Sequence, residues 1–354
     1  MPDTLLLRAA LLDGDLALDA WREWRGSRDL GDMAVPALRL VPLLFRNLPS
    51  GGIDEADLAR LKEIYLSSWT RSRRLLARGG EALTTLAGAG IETMVLKGAA
   101  LASLYYPDPG TRPMVDFDVL VRTREATRAL DALERAGWRP VEALSRPQAL
   151  AGRHSTPLAG PDGFRVDLHW RALDPAARDD DFWEAARRTE VAGVETLAPG
   201  PAEQLLHVCA HGVGASPAGP RWVADAVTVV RRSGDGLDWD RFAERAAARR
   251  LTLALRPALG YLRSGFGVPV PAGTLVQLER RPTTTTERLL HRAAWRMTGR
   301  RAFAAMSLDS YRRLRGAEHD SPVPRGYLSF LAAHLGFASR ARMLAHFARR
   351  TLRH

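Results

Sequence analysis

The segment Asp116-Phe117-Asp118-Val119-Leu120-Val121 constrains the fold more than any other. Phe117, Val119, Leu120 and Val121, four apolar residues of six, make a buried strand, and two carboxylates stand at its start. On a strand, residues two apart point the same way, so Asp116 and Asp118 are expected on one face. Two carboxylates at that spacing suit hard divalent cations, which take oxygen ligands and complete their shell with substrate phosphates.

The chain around this strand alternates. Residues 92–96 read as a short strand followed by Gly98, and 99–105 as a helix. Strand 117–121 follows, then an amphipathic helix over 124–136 with Thr123 as its N-cap and Gly137 as its stop. Residues 138–141, 164–170 and 191–197 read as further strands. Strands alternating with helices over 91–197 argue for a small α/β or α+β domain.

Helical spacing dominates on both sides. Before residue 90 it runs through 5–12, 37–45 and a long stretch from 55 to 87, stopped by Gly88 and Gly90. After residue 201 it recurs over 202–211, 222–232, 239–249 and 252–266. A stretch with Pro269, Pro271, Pro282 and Thr283 to Thr286 reads as a loop and a boundary. Helices are expected beyond it near 287–298, 325–335 and 340–352, the last capped by Ser339. The expected organisation is a helical region over 1–90, a catalytic core over 91–200, a helical substrate-binding region over 201–268 and a basic helical segment over 269–354.

Composition limits the class. Hydrophobic residues make up 46% and charged residues 26%, which excludes a disordered or fibrous chain. The single cysteine, Cys209, excludes an intrachain disulfide. The first residues carry no basic stretch ahead of an apolar run, and no long uncharged apolar stretch occurs. A cytoplasmic protein without a transmembrane segment is expected.

The net charge of +11 is unevenly placed. Residues 280–354 hold 16 arginines against four acids, so all of the positive excess lies there. Such a segment suits RNA or another polyanion, or is a solvated helical surface in an arginine-rich chain. Only Lys62 and Lys97 are lysines.

Chemistry concentrates in two further places. In Val95-Leu96-Lys97-Gly98-Ala99 a strand runs into a glycine and a helix starts. Free N–H groups at a helix start suit a phosphate, and glycine lets it approach the backbone. In Arg165-Val166-Asp167-Leu168-His169-Trp170, alternation puts Arg165, Asp167 and His169 on one face. An acid in an apolar strand needs a partner or a role.

This order resembles the DNA polymerase β-like nucleotidyltransferases. More closely, it resembles a bacterial family of uncharacterised nucleotidyltransferases over residues 30–265. The resemblance rests on Leu96-Lys97-Gly98, Tyr105, Arg112, Asp116 to Val121, Val166-Asp167-Leu168-His169-Trp170, the histidines His207 and His211, and Trp222-Val223-Ala224-Asp225. It implies a polymerase β-like α/β core between an N-terminal helical cap and a C-terminal helical region.

The resemblance also implies transfer of a nucleotidyl group from an NTP, ATP by default. Asp116, Asp118 and Asp167 would be the catalytic residues and hold two Mg²⁺ ions. Lys97, Gly98, Ala99, Ser103 and Arg112 would bind the triphosphate. The wider superfamily carries Gly-Ser at the turn, whereas here Gly98-Ala99 stands eighteen residues before Asp116. Lys97 or Ser103 is expected to replace the missing hydroxyl.

Arg112 clamps a phosphate through its planar fork or pairs with Asp108 or Asp116. His154, His169, His207, His211 and Asp225 are candidate substrate residues. His207 and His211 lie on one helix face, where core packing or a metal site are the alternatives, and Asp225 can pair with Arg221. The implied acceptor is a small molecule, sugar or peptide. RNA is the alternative, and a catalytically silent nucleotide-binding scaffold is the non-enzyme reading.

Overall fold

The structure is a computed structural model that describes residues 4–142, 145–173, 179–213, 219–296, 300–316 and 326–351. The chain divides into two compact units, each built from three separate segments. Unit 1 is Met1–Leu76, Lys97–Val115 and Pro199–Ala294. Unit 2 is Ala77–Leu96, Asp116–Ala198 and Trp295–His354. The units interleave along the chain, because chain order does not encode which segments share a core.

Unit 2 holds a seven-stranded sheet. Its strands are β1 (Thr93–Val95), β2 (Phe117–Val121), β3 (Arg139–Pro140), β4 (Ser155–Ala159), β5 (Arg165–His169), β6 (Arg187–Val191) and β7 (Val194–Ala198). They lie in the order β3-β4-β5-β2-β1-β7-β6. β2 pairs antiparallel with β1 and parallel with β5, so the acid-bearing strands are neighbours at the centre. Met94, Leu96, Leu120, Ala172 and Phe182 form one core cluster of this unit.

Helix Ala126–Arg135 turns Ala126, Ala129, Leu130, Ala132 and Leu133 inward, the one-sided burial its amphipathic spacing predicts. Gly79 is forced by packing. A Cβ there would stand 2.1 Å from the Phe117 ring, so only glycine lets the long helix Glu55–Gly88 meet that side chain.

Unit 1 is helical. Its core joins Leu6, Trp21, Trp24 and Leu44 to Leu205, Val227, Phe242 and Leu259. The Trp21 and Trp24 rings stack at 5.6 Å. Asn47 Nδ2 donates to the Ala9 and Leu12 carbonyls at 2.9 and 2.7 Å, satisfying acceptors at the end of helix Thr4–Leu11.

Several sequence expectations need correction. Of the strand expected over 191–197, residues from Val194 on are β7, and Ala192 and Gly193 at φ 53° and 81° are the turn that joins it to β6, which was not expected. That two-residue, positive-φ loop is the tight hairpin turn that matches strand twist. Thr123 does not cap the helix that follows; its hydroxyl donates to the Trp170 carbonyl at 2.9 Å. The proline and threonine stretch contains helix Ala272–Arg280, whose start Pro271 permits. Ser339 does cap its helix, accepting from the Arg342 N–H at 3.2 Å. Residues 297–299, 325 and 352, parts of three expected tail helices or their flanks, lie outside the described residues.

Candidate active site

Strand register builds the centre of the site. Asp118 on β2 stands opposite Asp167 on β5, and His169 lies two residues further along the same face. The His169 Nε2 is 3.0 Å from Asp118 Oδ1 and 3.1 Å from Asp167 Oδ2. Ser155 at the start of β4 donates to Asp167 Oδ2 at 3.2 Å. The Leu96 N–H donates to the Asp118 carbonyl at 3.0 Å, which fixes the β2 backbone at this residue.

Asp118 is 1% exposed and His169 is fully buried. Asp118 is therefore not at a solvent-facing strand end. The pairing of β2 between β1 and β5 puts it in the interior. Asp116 lies in the bend before β2, half-buried, and is not part of the group that closes on His169.

The proton arrangement of His169 decides what this group can hold. Its Nδ1 is 3.2 Å from the Arg171 carbonyl, and a carbonyl only accepts, so Nδ1 carries the hydrogen. Nε2 then faces two carboxylate oxygens. Ionised carboxylates also only accept, so three acceptors converge on one point. A proton, on Nε2 or on one carboxyl, or a divalent metal must sit there. Metal-ligating histidines characteristically donate their other ring N–H to a backbone carbonyl, as here. Asp118, Asp167 and His169 each offer a ligand atom, all within 4.8 Å of one another. Two oxygens and one imidazole nitrogen fit a divalent ion, and the nitrogen widens the choice from Mg²⁺ to Mn²⁺ or Zn²⁺.

The loop before β4 borders this group. The His154 ring is 5.4 Å from that of His169. Burial pulls the Arg153 guanidinium below its ordinary pKa, while the charge of Asp167 pulls the other way.

Unit 1 holds the other candidates. Lys97 opens helix Lys97–Leu104 at φ 42°, a left-handed conformation that costs any residue but glycine. At Gly98 a Cβ would stand 2.8 Å from Arg112 Nη1 and 3.0 Å from Met114 Cγ, so glycine lets both side chains close on the turn. Ala99 is buried beside it and Ser103 is exposed one turn on.

Arg112 has a buried acid as its partner. It grips Asp225 with both fork nitrogens at 2.9 Å, and the pair is buried. Tyr106 donates its hydroxyl to the same carboxylate at 2.7 Å, and Arg221 stands 3.9 Å away. Burial alone would push the Asp225 carboxyl up. The charges of Arg112 and Arg221, with hydrogen bonds from Arg112 and Tyr106, outweigh it and hold the pKa below the ordinary value. Arg221 is lowered to about 10 by burial and by the charge of Arg112. It donates to the Pro113 carbonyl at 2.6 Å.

His207 and His211 stack at 5.6 Å on helix Pro201–Val213, His207 buried and His211 exposed. Sequence reasoning missed Ser155, Arg153 and Tyr106, whereas the pairing of Arg221 with Asp225 was expected from their i−4 spacing.

A mixed α/β chain whose central parallel strands set two acids side by side, with a third acid two residues before the first, agrees with the order of acids that the nucleotidyltransferase resemblance implies. The sequence profile of the uncharacterised nucleotidyltransferase family matches residues 33–267, and the chain belongs to that family. Among solved structures, the lincomycin-bound lincosamide antibiotic adenylyltransferase LnuA is 12% identical, with a TM-score of 0.31. The match covers 42% of this chain and 90% of that one. An antigenic nucleotidyltransferase-like protein from Paracoccidioides brasiliensis is 16% identical, with a TM-score of 0.38. Here 58% of this chain and 97% of that one are covered. No curated protein matches the chain.

Proposed function

We propose that the protein transfers a nucleotidyl group from a nucleoside triphosphate, ATP by default, to a small-molecule, sugar or peptide acceptor in the cytoplasm, releasing pyrophosphate. The register of Asp118 against Asp167, closed by His169, carries this reading. Asp116, Asp118 and Asp167 would hold two Mg²⁺ ions, which when bound neutralise the triphosphate and lower the pKa of the acceptor hydroxyl.

The chain's own groups do the rest. Asp167, half-buried, takes the acceptor proton. His169, hydrogen-bonded through Nδ1, keeps both carboxylates oriented. Lys97 and the N–H groups opening helix Lys97–Leu104 take phosphate charge, and Gly98 keeps that turn open. Arg112 and Asp225 act as a pair that sets the shape of residues 106–113. His154, His207 and His211 are left to contact the acceptor.

The test is pyrophosphate release with a panel of labelled NTPs and acceptor pools. Asp118→Asn and Asp167→Asn should lose transfer, and normal turnover by either rejects the assignment. NTP binding without pyrophosphate release would identify a silent scaffold. RNA is the second reading, favoured by the arginines of residues 280–354. It predicts labelling of RNA with a slope of roughly −0.7 to −0.9 in log K against log salt per phosphate neutralised.

A further inference from the structure

The C-terminal part of the chain lies beyond the family match, which ends at residue 267. Its charge invites reading it as an appendage, yet helix Tyr327–His334 packs against helix Arg146–Gly152 within unit 2. The approach is close. A Cβ on Gly152 would stand 2.5 Å from the Ala333 Cβ and 3.1 Å from the His334 nitrogen. His334 Nδ1 donates to the Gly152 carbonyl at 2.9 Å, and Gln148 Nε2 donates to the Ala338 carbonyl at 2.7 Å. Behind this contact the Phe330 ring stacks on His334 at 5.4 Å, and Phe330 is buried with Tyr311 and Leu314.

The two residues after Gly152 clasp the end of β5. The Arg153 carbonyl accepts from Trp170 Nε1 at 2.9 Å. The His154 carbonyl accepts from the N–H groups of Trp170 and Arg171 at 2.9 and 3.2 Å. Arg171 in turn supplies the carbonyl that fixes the His169 ring, and the His154 ring lies against that ring. A continuous path therefore runs from His334 through Gly152 and the 153–154 backbone to the imidazole between Asp118 and Asp167.

We propose that helix Tyr327–His334 is a positioning element of the metal-binding group, with His334 and Gly152 as the residues through which it acts. The inference rests on reading Asp118, Asp167 and His169 as a cation site. The helix holds residues 152–154 in place, and these hold the Arg171 carbonyl and the His169 ring in the orientation that faces both acids. Groups bonded directly to a metal ligand, as the Arg171 carbonyl is to His169, change affinity by about 10–100-fold when altered, and His334 acts on that carbonyl through the 152–154 backbone.

The test is Mn²⁺ binding to the full-length protein, free Mn²⁺ being read by electron paramagnetic resonance, beside thermal unfolding of each variant. His334→Phe keeps a ring against Phe330 and removes the donor. His334→Asn places an amide N–H near the Nδ1 position and should restore it. We expect His334→Phe and Gly152→Ala to weaken Mn²⁺ binding about ten-fold or more in protein that is still folded, and His334→Asn to recover most of the affinity. Wild-type affinity in folded His334→Phe overturns the proposal, even if its melting temperature falls, because a merely structural contact lowers stability alone. If Gly152→Ala fails to fold, His334→Phe decides. Failure of the underlying site reading is seen in the wild type, which would then bind Mn²⁺ no better than Asp118→Asn, and the proposal falls with it.

Discussion

His169 and Asp118 face each other across 3.0 Å with almost no surface open to water, and Asp167 closes the same triangle from the next strand. Three converging acceptors make the folded state a better cation ligand than the unfolded chain. A divalent ion should therefore stabilise the protein, by about 2.7 kcal/mol at a hundred times its Kd. Calorimetric melts with and without Mn²⁺ should show a raised Tm in wild type and none in Asp118→Asn or Asp167→Asn.

The Arg112–Asp225 pair makes a separate prediction. Asp225→Ala leaves a buried guanidinium without its counter-charge and should cost about 3–5 kcal/mol. The folded pKa of Asp225 lies below its unfolded value of about 3.9, so its contribution is full above that pH and is lost as pH falls through the folded value. Urea unfolding of wild type and Asp225→Asn should differ by a constant amount above about pH 5. The two should converge only below about pH 4.

Lys97 carries a backbone cost that its side chain must justify. Lys97→Gly and Lys97→Ala both remove the ammonium and should weaken triphosphate binding alike, by about 1–3 kcal/mol. Glycine adopts φ 42° freely and alanine does not, so the glycine variant should be the more stable of the two by about 1 kcal/mol. Unchanged nucleotide affinity in both variants would remove Lys97 from the phosphate site.

Burial pushes the Cys209 thiol up to about 12, so almost no thiolate exists near neutrality. A disulfide reagent at pH 8 should leave the native protein unlabelled and react once denaturant is added. Rapid labelling of native protein would show that helix Pro201–Val213 opens readily.

Local pattern revealed much of this molecule. β2 and helix Thr252–Phe266 stand where apolar spacing places them, because each is decided by its own residues. β4 was invisible, since Pro157 interrupts its alternation and reads as a turn. The β6–β7 turn hid behind Ala192, which gives no signal of a positive φ. The approach of His169 to Asp118 depends on the parallel pairing of β2 and β5, and that of Arg112 to Asp225 on a contact 113 residues apart. Neither long-range pairing is written in any local window. The acids and the place of His169 beside Asp167 were legible, whereas the approach of that imidazole to Asp118 and the burial of Asp118 came from register.

The interleaving of the two units has a consequence during synthesis. A ribosome that has released residues 1–198 has delivered only part of each unit. Unit 1 waits for its segment Pro199–Ala294, and unit 2, sheet included, still lacks the segment that begins at Trp295. Neither can settle as an independent piece while the chain is being made. Helix Arg146–Gly152 must pass through a period in which helix Tyr327–His334, which packs against it, is not yet translated, and its uncovered face is then open to capture by chaperones or by other chains.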